Sequence, residues 1–198
     1  RKPNLIFEID LQRGEGERKI NRTDYKWKFL NVIVQNKKRP FYRSWLWGNI
    51  GAENARAWIY FRNLKTNELI VKVSARWAST KQPINNFGLD INEILVASRE
   101  SIPVDEDASL AVAIKTDKAD KIFAFNNESY FFYPTYKPPY NTLWSKKEFE
   151  IGNMKKYKVS IRILAQGYNY WVHFILINPN SSYNSIKLQR WEVMKFDY

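Results

Sequence analysis

The segments ARAWIYFRN (55–63) and LIVKVSARW (69–77) decide the fold class. In the first, Ala55, Ala57, Ile59 and Phe61 share one parity, and Arg56, Trp58, Tyr60 and Arg62 share the other. In the second, Val71, Val73 and Ala75 oppose Lys72, Ser74 and Arg76. Side chains alternate across a strand with a period of two, so each segment turns an apolar face to a core and a basic, aromatic face outward. NLKTNE (63–68) joins them as a turn, and the pair reads as a β-hairpin.

Working outward, YKWKFLNVIVQN (25–36) is a long strand whose apolar parity changes near Phe29–Asn31. Tyr25, Trp27 and Phe29 lie on one parity and Leu30, Val32 and Val34 on the other, and a β-bulge or twist between them is expected. LIFEIDL (5–11) is a first strand, and 12–24 is polar and reads as a loop. EILVAS (93–98) and SLAVAI (109–114) read as short strands flanking an acidic turn, and 122–125 and 130–133 as two more. A Pro- and Tyr-rich loop at 134–144 is too Pro-dense for a central strand. Residues 157–164 and 170–177 form a second hairpin through 165–169, and 186–194 a last strand. No amphipathic helix is expected; the best candidate, 146–156, is interrupted at Gly152.

About ten strands with turn signals between them predict an all-β, two-sheet antiparallel sandwich of immunoglobulin-like type. It is expected to be a single domain over 1–198, since no linker or fixed-period repeat divides the chain. Twelve Tyr, twelve Phe and eight Trp against seven Gly agree with many strands and ordered loops. The absence of Cys excludes disulfides, thiolate metal sites and the Cys…Trp…Cys pattern of antibody domains.

The net charge is +12, unevenly placed. Residues 1–84 carry 18 basic and 7 acidic residues, 85–120 carry 3 and 8, and 121–198 carry 11 and 5. Such a basic, dipolar chain favours polyanionic partners: nucleic acid or an anionic membrane face. There is no run of 18 apolar residues and no signal-peptide core. The chain does not open on Met, and Arg1 and Lys2 suit a boundary just after a removed membrane span, with the domain on the cytoplasmic side.

Motifs for catalysis are missing: no GxSxG elbow, P-loop or GxGxxG occurs. The single His, His173, lies on a strand parity shared with Trp171, Ile175 and Ile177, where a packed or hydrogen-bonded role is expected. Asp105, Glu106 and Asp107 lack EF-hand spacing and read as a solvated turn. No enzyme activity, cofactor or metal is expected.

The stretch KKRPFYRSWLWGN (37–49) carries more information. Lys37, Lys38, Arg39 and Arg43 supply phosphate-pairing cations, and Trp45 and Trp47 supply rings suited to a bilayer headgroup region. Three readings stand: peripheral attachment to anionic lipid, stacking and backbone tracking on single-stranded nucleic acid, or a satellite core beneath the loop. A second candidate patch is the outward sheet face with Arg56, Arg62, Lys72 and Arg76 over Trp58 and Tyr60. A protein-interaction role, through the acidic segment 85–120 or the aromatic loop 130–144, is a further alternative.

The runs NVIVQN (31–36), AENARAWIYF (52–61) and ARWASTKQP (75–83) resemble immunoglobulin-like domains carried by microbial membrane-anchored proteins. The likeness rests on Val34-Gln35-Asn36, Ala52-Glu53-Asn54-Ala55-Arg56, and Arg76-Trp77 with Pro83, and covers about a quarter of the chain. The chain departs from that pattern by inserting Lys37–Asn49 in place of a short turn. With its charge and basic start, it also looks like the soluble part of a membrane effector that partners a short prokaryotic Argonaute in antiviral defence. That resemblance implies engagement of anionic phospholipid and membrane depolarisation. The expectation is therefore a non-enzymatic domain that binds anionic phospholipid.

Overall fold

A computed structural model describes the chain except residues 1, 12–14, 21–22, 41–47, 86–87, 96–97, 118, 133–143, 145 and 192–198. Among the described residues fifteen strands form: β1 Leu5–Asp10, β2 Glu15–Ile20, β3 Thr23–Asn36, β4 Ala52–Asn63, β5 Leu69–Ser74, β6 Arg76–Trp77, β7 Ile84–Asn85, β8 Gly88–Leu89, β9 Glu100–Ile102, β10 Asp107–Thr116, β11 Ile122–Ala124, β12 Glu150–Gly152, β13 Lys156–Ala165, β14 Tyr168–Ile177 and β15 Lys187–Arg190. The first sheet runs β1-β3-β10-β11-β12, with β2 also on β3 and β6 also on β10. The second runs β15-β14-β13-β4-β5, with β9 against the start of β4. Their apolar faces share one core, so the fold is all-β, a two-sheet antiparallel sandwich. Apart from β2, which has six residues, the strands that the sequence did not suggest have two or three, too few to show an alternation in sequence.

Both expected hairpins form. In β4, Ala55, Ala57, Ile59 and Phe61 are buried; in β5, Val71 and Val73 are buried beside them. The turn at 63–68 is closed by Asn63, whose Oδ1 accepts from the backbone N–H of Lys65 and Thr66. Asn67 there takes φ 59°, a left-handed conformation that Asn tolerates. The β13–β14 hairpin turns on two residues, Gln166 at φ 49° and Gly167 at φ 79°, the double positive φ of the turn type that matches strand twist.

After β5 the chain changes sheets. Ala75 still donates to the Ala57 carbonyl at 2.9 Å, but Arg76 and Trp77 pair with Ala111 and Leu110 of β10 in the first sheet. Trp77 becomes a fully buried core residue, its indole N–H donating to the Ala55 carbonyl at 3.1 Å.

The parity change in β3 has a different cause from the one expected. β3 itself alternates without interruption, and the register shift lies opposite it in β10, between Ala111 and Ala113. Leu30, Val32 and Val34 face the sandwich core. Trp27 and Phe29 face the other way, into a second cluster with Ile114, Phe123, Phe125, Tyr130 and Trp144. The strand is apolar on both faces because each face has its own cover.

Three further expectations are corrected. Residues 12–24 are not a loop throughout, because β2 pairs with the first half of β3, from Glu15↔Lys28 to Ile20↔Thr23. The first three residues of EILVAS, 93–95, are helical rather than extended: they end α1, Ile91–Leu95, which starts after Asp90, whose Oδ1 accepts from the N–H of Asn92 and Glu93; residues 96–97 lie outside the described residues. Asn127–Phe132 is a 3-10 helix rather than a strand, nucleated by buried Asn126 and Ser129, which exchange side-chain and backbone hydrogen bonds.

Candidate functional site

The outward face of the second sheet is the most coherent chemical surface among the described residues. Strands β4, β5, β13, β14 and β15 contain eight Lys or Arg and one acidic residue, Glu53. Because the core takes one parity from each strand, most of these cations share the other parity. Registry sets them in rows. Ser74, Trp58, Arg162 and Trp171 form one row; Lys72, Tyr60, Ser160 and His173 form the next; Arg62, Lys158, Ile175 and Gln189 span the third.

Cations and rings interleave across these rows. The Arg162 guanidinium lies 5.4 Å from the Trp58 ring centroid and 6.0 Å from that of Trp171. Lys72 Nζ sits 5.4 Å over Tyr60, and Lys158 Nζ 5.5 Å over Trp191. Tyr60 and Trp171 are 5.5 Å apart, and Trp171 stacks on His173 at 6.5 Å. An aromatic face attracts a cation through its quadrupole without neutralising it. The polar bonds on this face likewise go to neutral acceptors. Arg162 Nε donates to Asn169 Oδ1 at 2.7 Å, Arg62 to the Asn67 carbonyl and Lys158 to Asn67 Oδ1. Among the described residues, none of Arg62, Lys72, Lys158 and Arg162 pairs with a carboxylate. The face is therefore positive and oriented, and it ends in a half-exposed indole, Trp171, at 52% exposure.

His173 accepts or donates a 2.9 Å hydrogen bond between Nδ1 and Ser160 Oγ. Burial, then the nearby Lys158, hold its pKa below the ordinary histidine range, so it is neutral at pH 7.

The candidate residues from sequence divide. Arg56, Arg62 and Lys72 lie on this face as expected, Arg56 at its end opposite Leu164. Arg76 does not. It is buried at 3% exposure because the change of sheet at Ala75 carries it inward. There it donates to Asn127 Oδ1 and the Thr80 carbonyl and stacks on Tyr130 at 5.3 Å. Arg43, Trp45 and Trp47 lie outside the described residues. The described start of the excursion does not gather into one patch. Lys37 pairs with Glu8 at 3.7 Å, and Lys37 and Lys38 border a cleft of about 590 Å³ shared with Asp105, Glu106 and Asp107. Arg39 turns instead toward the amino-terminal segment and donates to the Lys2 carbonyl. Two members of the face, Arg162 and Trp171, were missed. Their strands show the same alternation, but only pairing of β13 with β4 brings them beside Trp58.

No described helix is long and apolar enough to cross a membrane. Among the described residues no group of His, Asp or Glu is placed to hold a metal ion. No family model, curated protein or solved structure matches the chain.

Proposed function

We propose that the chain is a non-enzymatic binding domain for anionic phospholipid, and that it engages the membrane with the outward face of its second sheet. The observation that carries this reading is the Arg162 guanidinium stacked against Trp58 and Trp171 on a face where, among the described residues, Arg62, Lys72, Lys158 and Arg162 have no carboxylate partner. Lipid phosphates supply the missing negative charge, about 1 kcal/mol per basic residue near the surface. Trp171 and Tyr60 suit the headgroup level, where an amphipathic ring is at home. In this reading the domain is membrane-associated, on the cytoplasmic side, and part of a longer membrane-anchored chain. Its proposed setting is an antiviral effector that works with an Argonaute-containing complex and depolarises the membrane; co-purification of such a complex with the full-length chain tests that setting.

The direct test is flotation with vesicles. Binding is expected with phosphatidylglycerol in phosphatidylcholine and not with phosphatidylcholine alone. The triple variant Lys72→Glu, Lys158→Glu, Arg162→Glu should remain in the soluble fraction. Equal flotation of that variant would reject the face as the site.

The same half-exposed Trp171, stacked with His173, also suits a nucleobase, which makes single-stranded nucleic acid the second reading. A gel shift that weakens steeply with salt, with no vesicle flotation, would favour it.

A further inference from the structure

A second, open pocket lies where β1 begins and the chain leaves β3. Lys2, Arg39 and Tyr170 border a pocket of about 340 Å³ whose other described lining residues, Pro3, Asn4, Leu5 and Pro40, are uncharged. Its walls are tied down. Asn36, almost wholly buried, accepts from the Asn4 N–H and donates to the carbonyls of Ile50 and Ile102. The Tyr170 hydroxyl donates to the Pro3 carbonyl at 2.7 Å, and the Arg39 N–H donates to Asn49 Oδ1 at 2.9 Å.

The two cations are oriented by neutral groups. Lys2 Nζ lies 4.7 Å over the Tyr170 ring, and the Arg39 guanidinium donates to the Lys2 carbonyl. Neither pairs with a carboxylate among the described residues. Tyr170 does not supply a counter-charge: burial pushes its phenol up to about 12, against the pull of Arg39. The cleft bordered by Lys37 and Lys38 differs, because three carboxylates line it. Two uncompensated positive charges in one small pocket call for a compact dianion, and a guanidinium matches phosphate oxygens in a plane.

We propose that this pocket binds a phosphate dianion, either free or as the terminal phosphomonoester of a larger molecule, between the Lys2 ammonium and the Arg39 guanidinium. The site stands apart from the sheet face and does not need it.

The test is calorimetric titration of the full chain with inorganic phosphate at low salt. One site is expected, and Arg39→Gln and the surface change Lys2→Gln should each weaken it about tenfold or more, the cost of one charged hydrogen bond. Thermal unfolding of both variants checks that they are folded. No isotherm with the wild type, or an isotherm untouched by both substitutions, would overturn the proposal. So would an isotherm lost in Arg162→Glu but kept in Arg39→Gln, which would put the anion on the sheet face. Vesicles of phosphatidylcholine with phosphatidic acid then identify the source. Displacement from them by inorganic phosphate, sensitive to Arg39→Gln, supports a lipid phosphomonoester; an intact isotherm without such displacement supports free phosphate.

Discussion

Lys115 Nζ, wholly buried, donates to Asn178 Oδ1 at 2.8 Å, and so ties β10 of the first sheet to the residue that follows β14 in the second. A second bond, to the Asn180 carbonyl at 2.9 Å, holds the loop beyond it. This cation is held by amide oxygens. Burial accordingly pulls its pKa below the ordinary lysine value of 10.5, while Asp120 acts the other way.

Replacing Lys115 with Met leaves the buried Asn178 oxygen without its donor and should destabilise the fold by about 1–3 kcal/mol, read from urea midpoints at pH 7. The depressed base also has a pH signature. Its contribution is present above 10.5 and is lost as pH falls through the lowered value, so the wild type gains stability from this group on the alkaline side. The Met variant should lack that part of the slope.

His173 has the same sign at lower pH. Its depressed pKa means that its contribution to stability is present above the ordinary value of 6.5 and declines as pH falls through the lowered one. Thermal melts across pH 4–8 (about the range in which histidine charges) should show this decline, and His173→Gln should flatten it. Protonation also adds a charge to the sheet face, so wild-type flotation with anionic vesicles should strengthen on acidification more than that of the variant.

Arg162→Glu exchanges a stacked cation for an anion, a change of two charges, and should weaken vesicle binding by roughly 2 kcal/mol, about thirtyfold. Trp171→Ala should weaken binding as well while changing stability by less than about 1 kcal/mol, since the ring is half exposed. Comparing flotation with urea midpoints separates the two effects. A Trp171 variant that binds as well as wild type would remove the indole from the interface.

Gly167→Ala should cost about 1–2 kcal/mol, because φ 79° is strained for a residue with a Cβ. Nothing lies within 4 Å of the added Cβ, so the cost belongs to the backbone alone. Gly167→Asn should cost less, because Asn tolerates that conformation. Equal losses for the two substitutions would contradict this account.

Trp77→Phe should remove the bond to the Ala55 carbonyl and part of the core volume, at about 1–3 kcal/mol. Here the boundary between sequence and structure is visible. The alternation of β4 and β5 was readable up to Val73, because one buried face per strand writes itself as a period of two. At Ala75 the same pattern continues in sequence while the chain crosses to the other sheet, so Arg76 looked exposed and is buried. The signal is local, and the crossing is decided by which partner strand is at hand.

By itself, the sequence determined the class of fold, both long hairpins, the basic character of the second sheet's outward face and the places of Arg56, Arg62 and Lys72 upon it. Tertiary structure alone decided that Arg162 stands between Trp58 and Trp171, that Trp27 and Phe29 have a core of their own, and that Lys2 meets Arg39 across a pocket. These are contacts between segments far apart in the chain. Alternation within a strand specifies which side a residue takes, whereas its neighbour on that side depends on strand order and register, which no single segment contains.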